Sequence, residues 1–83
     1  MDIIERRKDF IKHHGFKNMS EFSDAVDDSP ANIHRIITGI QKPKIEKLFY
    51  FATVLDCDID QLLHLFYPDE MQKNVEEHKK RGD

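Results

Sequence analysis

Eighty-three residues suffice for one domain but not for a deep core, since a chain of this size buries only about 60–65% of its unfolded surface. Hydrophobic residues at 39% and charged residues at 35% describe a globular chain with a busy surface, and no apolar run approaches the ~18 residues of a membrane span. The net charge of −3 argues against a protein that coats nucleic acid without regard to sequence, and the cations are unevenly spread: residues 29–47 carry four against a single acid. Met1-Asp2-Ile3 lacks the basic-then-apolar layout of a signal peptide, and the lone Cys57 has no internal disulfide partner. Both features lead to the expectation of a cytoplasmic protein.

In chain order, Ile3, Ile4, Phe10 and Ile11 keep helical spacing and predict a first helix over 3–14, stopped by Gly15. Arg6, Arg7, Lys8 and Lys12 are expected on its solvent face. Asn18-Met19-Ser20-Glu21 has the form of a capping box and opens a second helix, 19–26, that is expected to bury Met19, Phe22, Ala25 and Val26. Asp27-Asp28 breaks it, and the next helix starts after only about three residues.

The third helix, 30–38, has its stops written in full. Ser29 is an N-cap, Pro30 falls at the first helical position, and Gly39 suits the left-handed residue that closes a helix. Ile33, Ile36, Ile37 and Ile40 form one apolar stripe. The opposite face carries Ala31, Arg35 and Thr38, with Asn32 and His34 on its shoulders. A helix of two and a half turns cannot stand alone in water, so its isoleucine back must be held while small, polar and cationic groups face outward.

Ile40-Gln41-Lys42-Pro43-Lys44 reads as a loop, kept extended before Pro43. A fourth helix, 45–55, places Ile45, Leu48, Phe49, Ala52 and Leu55 on one stripe with Tyr50 and Phe51 beside it, the expected floor of the core. Asp58-Ile59-Asp60-Gln61 is a second capping box, and it opens a fifth helix, 59–66, ended by Tyr67-Pro68. Residues 68–83 hold only Met71 and Val75 as apolar anchors and read as an extra helix or a tail appended to a domain of 1–67. Cys57 is expected to be a small core residue.

Five short helices with a tight turn between the second and third resemble the phage-repressor/Cro-like (XRE-type) helix-turn-helix family over roughly residues 3–63. Phe22-Ser23 stands where that family prefers Leu-Ala, Val26-Asp27 where it prefers Leu-Gly, and Ile33 at the apolar position inside the recognition helix. Gly39 and Pro43 match the family's Gly-x-x-x-Pro turn, and Ile45, Leu48, Ala52, Leu55, Asp60, Leu62 and Leu63 follow its fourth- and fifth-helix pattern. The chain departs from the family at Met19, where many members carry a DNA-touching glutamine, at Pro30, a position that often reads a base, and at Ile37, which replaces a frequently acidic residue. The resemblance implies an all-α, lambda-repressor-like domain that binds double-stranded DNA as a small transcriptional regulator, a repressor, with its third helix in the major groove.

On that expectation Ala31, Asn32, His34 and Arg35 are the candidate base readers. An outward arginine suits guanine O6 and N7, with a phosphate contact or plain solvation as the alternatives. Thr38, Gln41, Lys42 and Lys44 surround the helix end with groups suited to phosphate oxygens. Leu65, Phe66, Tyr67 and Met71 exceed what so small a core covers and are the candidate surface of a homodimer. An antitoxin-type protein with a toxin or other partner, and a protein–protein module without DNA, are the competing readings of the same fold. The five histidines show no metal spacing, there is no phosphate-cradling glycine loop, and Asp24, Asp27 and Asp28 lack a nucleophile or pocket, so no cofactor, metal or enzymatic activity is expected.

Overall fold

The computed structural model describes residues 2–72, and all of their regular structure is helical. Five helices follow one another: α1 (Ile3–His13), α2 (Met19–Ala25), α3 (Pro30–Thr38), α4 (Ile45–Leu55) and α5 (Ile59–Phe66). After Tyr67 the chain turns helical again over 68–72. Helix α1 packs on α2, α3 and α5, while α2 leans on α3 and α4 on α5. Among the described residues no helix is long and apolar enough to cross a membrane.

Local chemistry explains most boundaries. The Asp2 carboxylate accepts from the Glu5 N–H at 2.8 Å and starts α1. Asn18 does the same for the Glu21 N–H at 2.9 Å; among the described residues this is the half of the expected capping box that forms. At α5 the Asp58 N–H donates to Gln61 Oε1 at 3.2 Å. Helices α2 and α4 both end on an aspartate in the left-handed region, Asp27 at φ 55° and Asp56 at φ 54°. In each case two N–H groups fold back onto orphan carbonyls: Asp28 to Ser23 at 2.9 Å with Asp27 to Asp24 at 3.2 Å, and Cys57 to Ala52 at 3.1 Å with Asp56 to Thr53 at 3.3 Å. These are Schellman closures, a geometry that usually recruits glycine. Aspartate tolerates it better than most side chains, at some cost in strain.

The core draws Ile11 from α1, Phe22 and Val26 from the α2 region, Ile33, Ile36 and Ile37 from α3, Leu48, Phe51 and Leu55 from α4, and Leu62, Leu65 and Phe66 from α5. A column of edge-on aromatic rings runs through it, Phe16 to Phe22 at 5.4 Å, Phe22 to Phe51 at 5.0 Å and Phe51 to Phe66 at 6.3 Å between centroids. Edge-to-face contact aligns ring edges with ring faces and adds to simple burial.

Several expectations are corrected here. Arg7 is buried, not solvent-facing: its Nε donates to the Leu65 carbonyl and its Nη1 to the Ile37 carbonyl, both at 2.8 Å, and its guanidinium lies 5.2 Å from the Phe66 ring centre. Ala25 is exposed, and so is Ile40, which falls beyond the Gly39 stop and leaves the α3 stripe. On α4 the buried stripe is Leu48, Phe51 and Leu55; Ile45, Phe49 and Tyr50 point outward. The helix is apolar on nearly every side, so two stripes satisfy the same period and only packing selects between them. Leu65 and Phe66 belong to the protein's own core, which removes them from any dimer surface, while Tyr67 and Met71 are half-buried. Cys57 is half-buried against the core, and burial, then Asp58 and Asp56, push its thiol pKa up. Val75 lies outside the described residues.

Candidate nucleic-acid interface

Helix α3 is fixed at both ends and along its back. The Ser29 hydroxyl accepts from the Asn32 N–H at 3.1 Å, and Pro30 occupies the first turn. At the other end Gly39 takes φ 87°, and the Gln41 N–H reaches back to the Arg35 carbonyl at 3.1 Å. Ile33, Ile36 and Ile37 are each at most 1% exposed. What remains free is a narrow outer face. Ala31, His34 and Arg35 are exposed on it, as are Gln41 and Lys44 in the segment that follows.

The other expected contact residues are already engaged within the protein. Asn32 is half-buried and its amide donates to Asp28 Oδ2 at 2.7 Å. Asp28 also accepts from the Ser29 N–H at 2.8 Å and forms an ion pair with Lys47 of α4. Lys47, then the Asn32 amide and the Ser29 N–H, hold the Asp28 carboxyl below the usual carboxylate range against the opposing effect of burial. This cluster joins the turn before α3, the first turn of α3 and the first half of α4. Asn32 therefore helps to position α3, with one amide N–H engaged within the protein. Thr38 donates its hydroxyl to the His34 carbonyl at 2.8 Å, which leaves its oxygen as an acceptor. That suits a donor and not a phosphate.

Lys42 pairs with Glu70 and its ammonium stands 5.0 Å from the centre of the Tyr67 ring. Tyr67 in turn donates its hydroxyl to the Pro43 carbonyl. The pair raises the Lys42 pKa and lowers that of Glu70, yet both side chains are more than half exposed, so the contact is weak and exchangeable. The electrostatic surroundings are mixed. Arg35 and Lys44 are exposed cations, whereas Glu21, Asp24 and Asp27 are exposed acids along α2 and its end.

The clustering of Asp28, Asn32 and Lys47 was only partly visible in the sequence. Asp28 and Asn32 sit four residues apart across a helix start, a recognisable spacing, whereas Lys47 lies 19 residues further on with no pattern to link it. The pairing of Lys42 with Glu70, 28 residues apart, likewise has no sequence signal. No family model matches the chain, and neither does a curated protein or a solved structure.

Proposed function

We propose that the protein is a lambda-repressor-like helix-turn-helix regulator, a cytoplasmic repressor that binds double-stranded DNA with α3 in the major groove. The supporting observation is the division of α3 into two unlike faces. Three isoleucines are sunk in the core, while Ala31, His34 and Arg35 face outward. Nine residues span roughly 13 Å at 1.5 Å each, and a helix with its side chains fits a groove about 12 Å wide. In this reading Arg35 takes guanine O6 and N7, His34 a neighbouring base edge, and Ala31 a thymine methyl or a close backbone approach. Lys44 and Gln41 take phosphates, and Lys42 joins them by exchanging Glu70 for a phosphate oxygen. Asn32 holds the helix in register and leaves base reading to its neighbours.

Fluorescence anisotropy with duplexes from the gene's own upstream region, titrated with salt, tests the proposal. Arg35→Ala is expected to cost about 1–3 kcal/mol on the matched duplex and little on a mismatched one. Lys44→Ala is expected to weaken all duplexes alike and to lower the salt slope by about one unit per site. Absence of binding at about 50 mM salt would overturn the proposal. Equal losses for Arg35→Ala on both duplexes would demote that residue to a phosphate contact.

A further inference from the structure

The outer face of α4 is the largest unexplained feature of the molecule. Ile45 is 45% exposed, Phe49 55% and Tyr50 46%, and Ile40, in the turn leading into the helix, is 75% exposed. Ile45 and Phe49 are four residues apart, and Tyr50 adjoins them with Glu46 and Thr53, both exposed, on the same side. The helix meets α5 through its other face, where Leu48, Phe51 and Leu55 are buried. The exposed aromatic halves leave on the order of 100 Å² each, and the isoleucines bring the total to roughly 400 Å², within the range of functional patches.

We infer that this face is the contact between two copies of the chain, with α4 packed antiparallel against α4 of the second copy across a two-fold axis near Tyr50. Tyr50 is the midpoint of Ile45–Leu55, so an antiparallel pair sets Phe49 of each copy beside Tyr50 of the other. The ends decide the direction. Lys44 is exposed just before the first turn and Asp56 is exposed just after the last. Antiparallel packing brings Lys44 beside Asp56 of the second copy, twice over, and opposes the helix dipoles. Parallel packing would set lysine against lysine and aspartate against aspartate. Residues 73–83 are a poor alternative occupant, since Val75 is their only large apolar side chain among six Lys, Arg and Glu residues and Asp83. An apolar patch of this size supplies about half of the ~800 Å² per partner of a standard interface, so a reversible dimer of modest affinity is the expected product. The inference shares Lys44 with the DNA reading, but Phe49 and Tyr50 take no part in that reading and the test is made without nucleic acid.

Sedimentation equilibrium of the full chain without DNA tests it. The wild type is expected to rise with concentration from 9.9 kDa toward twice that mass. Phe49→Glu and, separately, Tyr50→Ser are expected to remain monomeric with unchanged helical circular dichroism, because neither side chain supports the core. Lys44→Glu should weaken the dimer several-fold, and adding Asp56→Lys should restore most of the loss. A wild type that stays monomeric at millimolar concentration overturns the inference and leaves the face to a different protein. A dimer indifferent to both Phe49→Glu and Tyr50→Ser overturns it in favour of another surface.

Discussion

Two of the polar ties between segments of the described residues are built on opposite terms. Arg7 is a buried cation satisfied by the Ile37 and Leu65 carbonyls, in the last turns of α3 and α5, and by the face of Phe66. Those carbonyls are the orphan acceptors of helix ends, where the helix dipole is negative, so one guanidinium closes two helices at once. Asp28 is a partly exposed anion satisfied by Lys47, the Asn32 amide and the Ser29 N–H. The first tie answers burial with fixed dipoles, and burial alone holds the Arg7 pKa below its ordinary value. The second answers charge with charge near water. The difference teaches which cations are structural. Arg7 and Lys47 are spent on architecture, so of the four cations in residues 29–47 Arg35 and Lys44, with Lys42 on loan to Glu70, are the ones able to meet a ligand.

The largest effect is expected at Arg7. Arg7→Met should destabilise the fold by about 3 kcal/mol, because it strands two buried carbonyls and removes two charge-assisted hydrogen bonds. Arg7→Lys should recover little of it, since an ammonium lacks the fork that reaches both acceptors. Chemical denaturation reads both, and a loss under about 1 kcal/mol for Arg7→Met would erase the contrast between the two ties.

At the second tie, Asp28→Asn is expected to cost about 1 kcal/mol. It should also flatten the acid limb of stability. The folded carboxyl titrates below its unfolded value, so its contribution is complete at neutral pH and fades as pH falls through and below the ordinary carboxylate range. Thermal melts of wild type and Asp28→Asn should therefore converge in acid. Parallel curves would mean that the Lys47 pair adds nothing.

A smaller effect of opposite sign is expected beside it. Asp27→Gly should stabilise by about 0.5–1 kcal/mol, because φ 55° suits glycine and the Schellman hydrogen bonds are all main-chain. Last in order, Glu70→Gln should leave the melting temperature unchanged, the Lys42 pair being solvent-exposed, while modestly raising affinity for DNA.

What was legible in the sequence follows the reach of each interaction. Helix α3 is bounded by Ser29, Pro30 and Gly39, signals that act within four residues, and its expected range 30–38 is the observed one. The range 59–66 of α5, set by Asp58 and Gln61, was legible for the same reason. The face of α4 was not, because Ile45, Leu48, Phe49, Tyr50 and Phe51 make either side apolar enough to bury. Nor was the role of Arg7: a basic residue among Arg6, Lys8 and Lys12 looks like part of a solvated run, and its acceptors lie 30 and 58 residues away. On the candidate site, the outward placement of His34 and Arg35 came from α3 periodicity alone. The commitment of Lys42 to Glu70 and of Lys47 to Asp28 depends on how segments meet in space.

The distance along the chain that Arg7 spans has a consequence for how the molecule comes apart. One guanidinium from the first helix is anchored in the third and in the fifth, so none of α1, α3 and α5 can leave without breaking a hydrogen bond to another of them. Loosening α5 strips Arg7 of one acceptor and of its aromatic cover, and loosening α1 uncaps α3 and α5 together. These three helices are thereby tied together, and their slowly exchanging amides are expected to share a single opening energy in hydrogen exchange. Trimming the chain back to Leu63 would remove the Leu65 acceptor and the Phe66 ring, and so would unsettle α3, whose own residues are untouched.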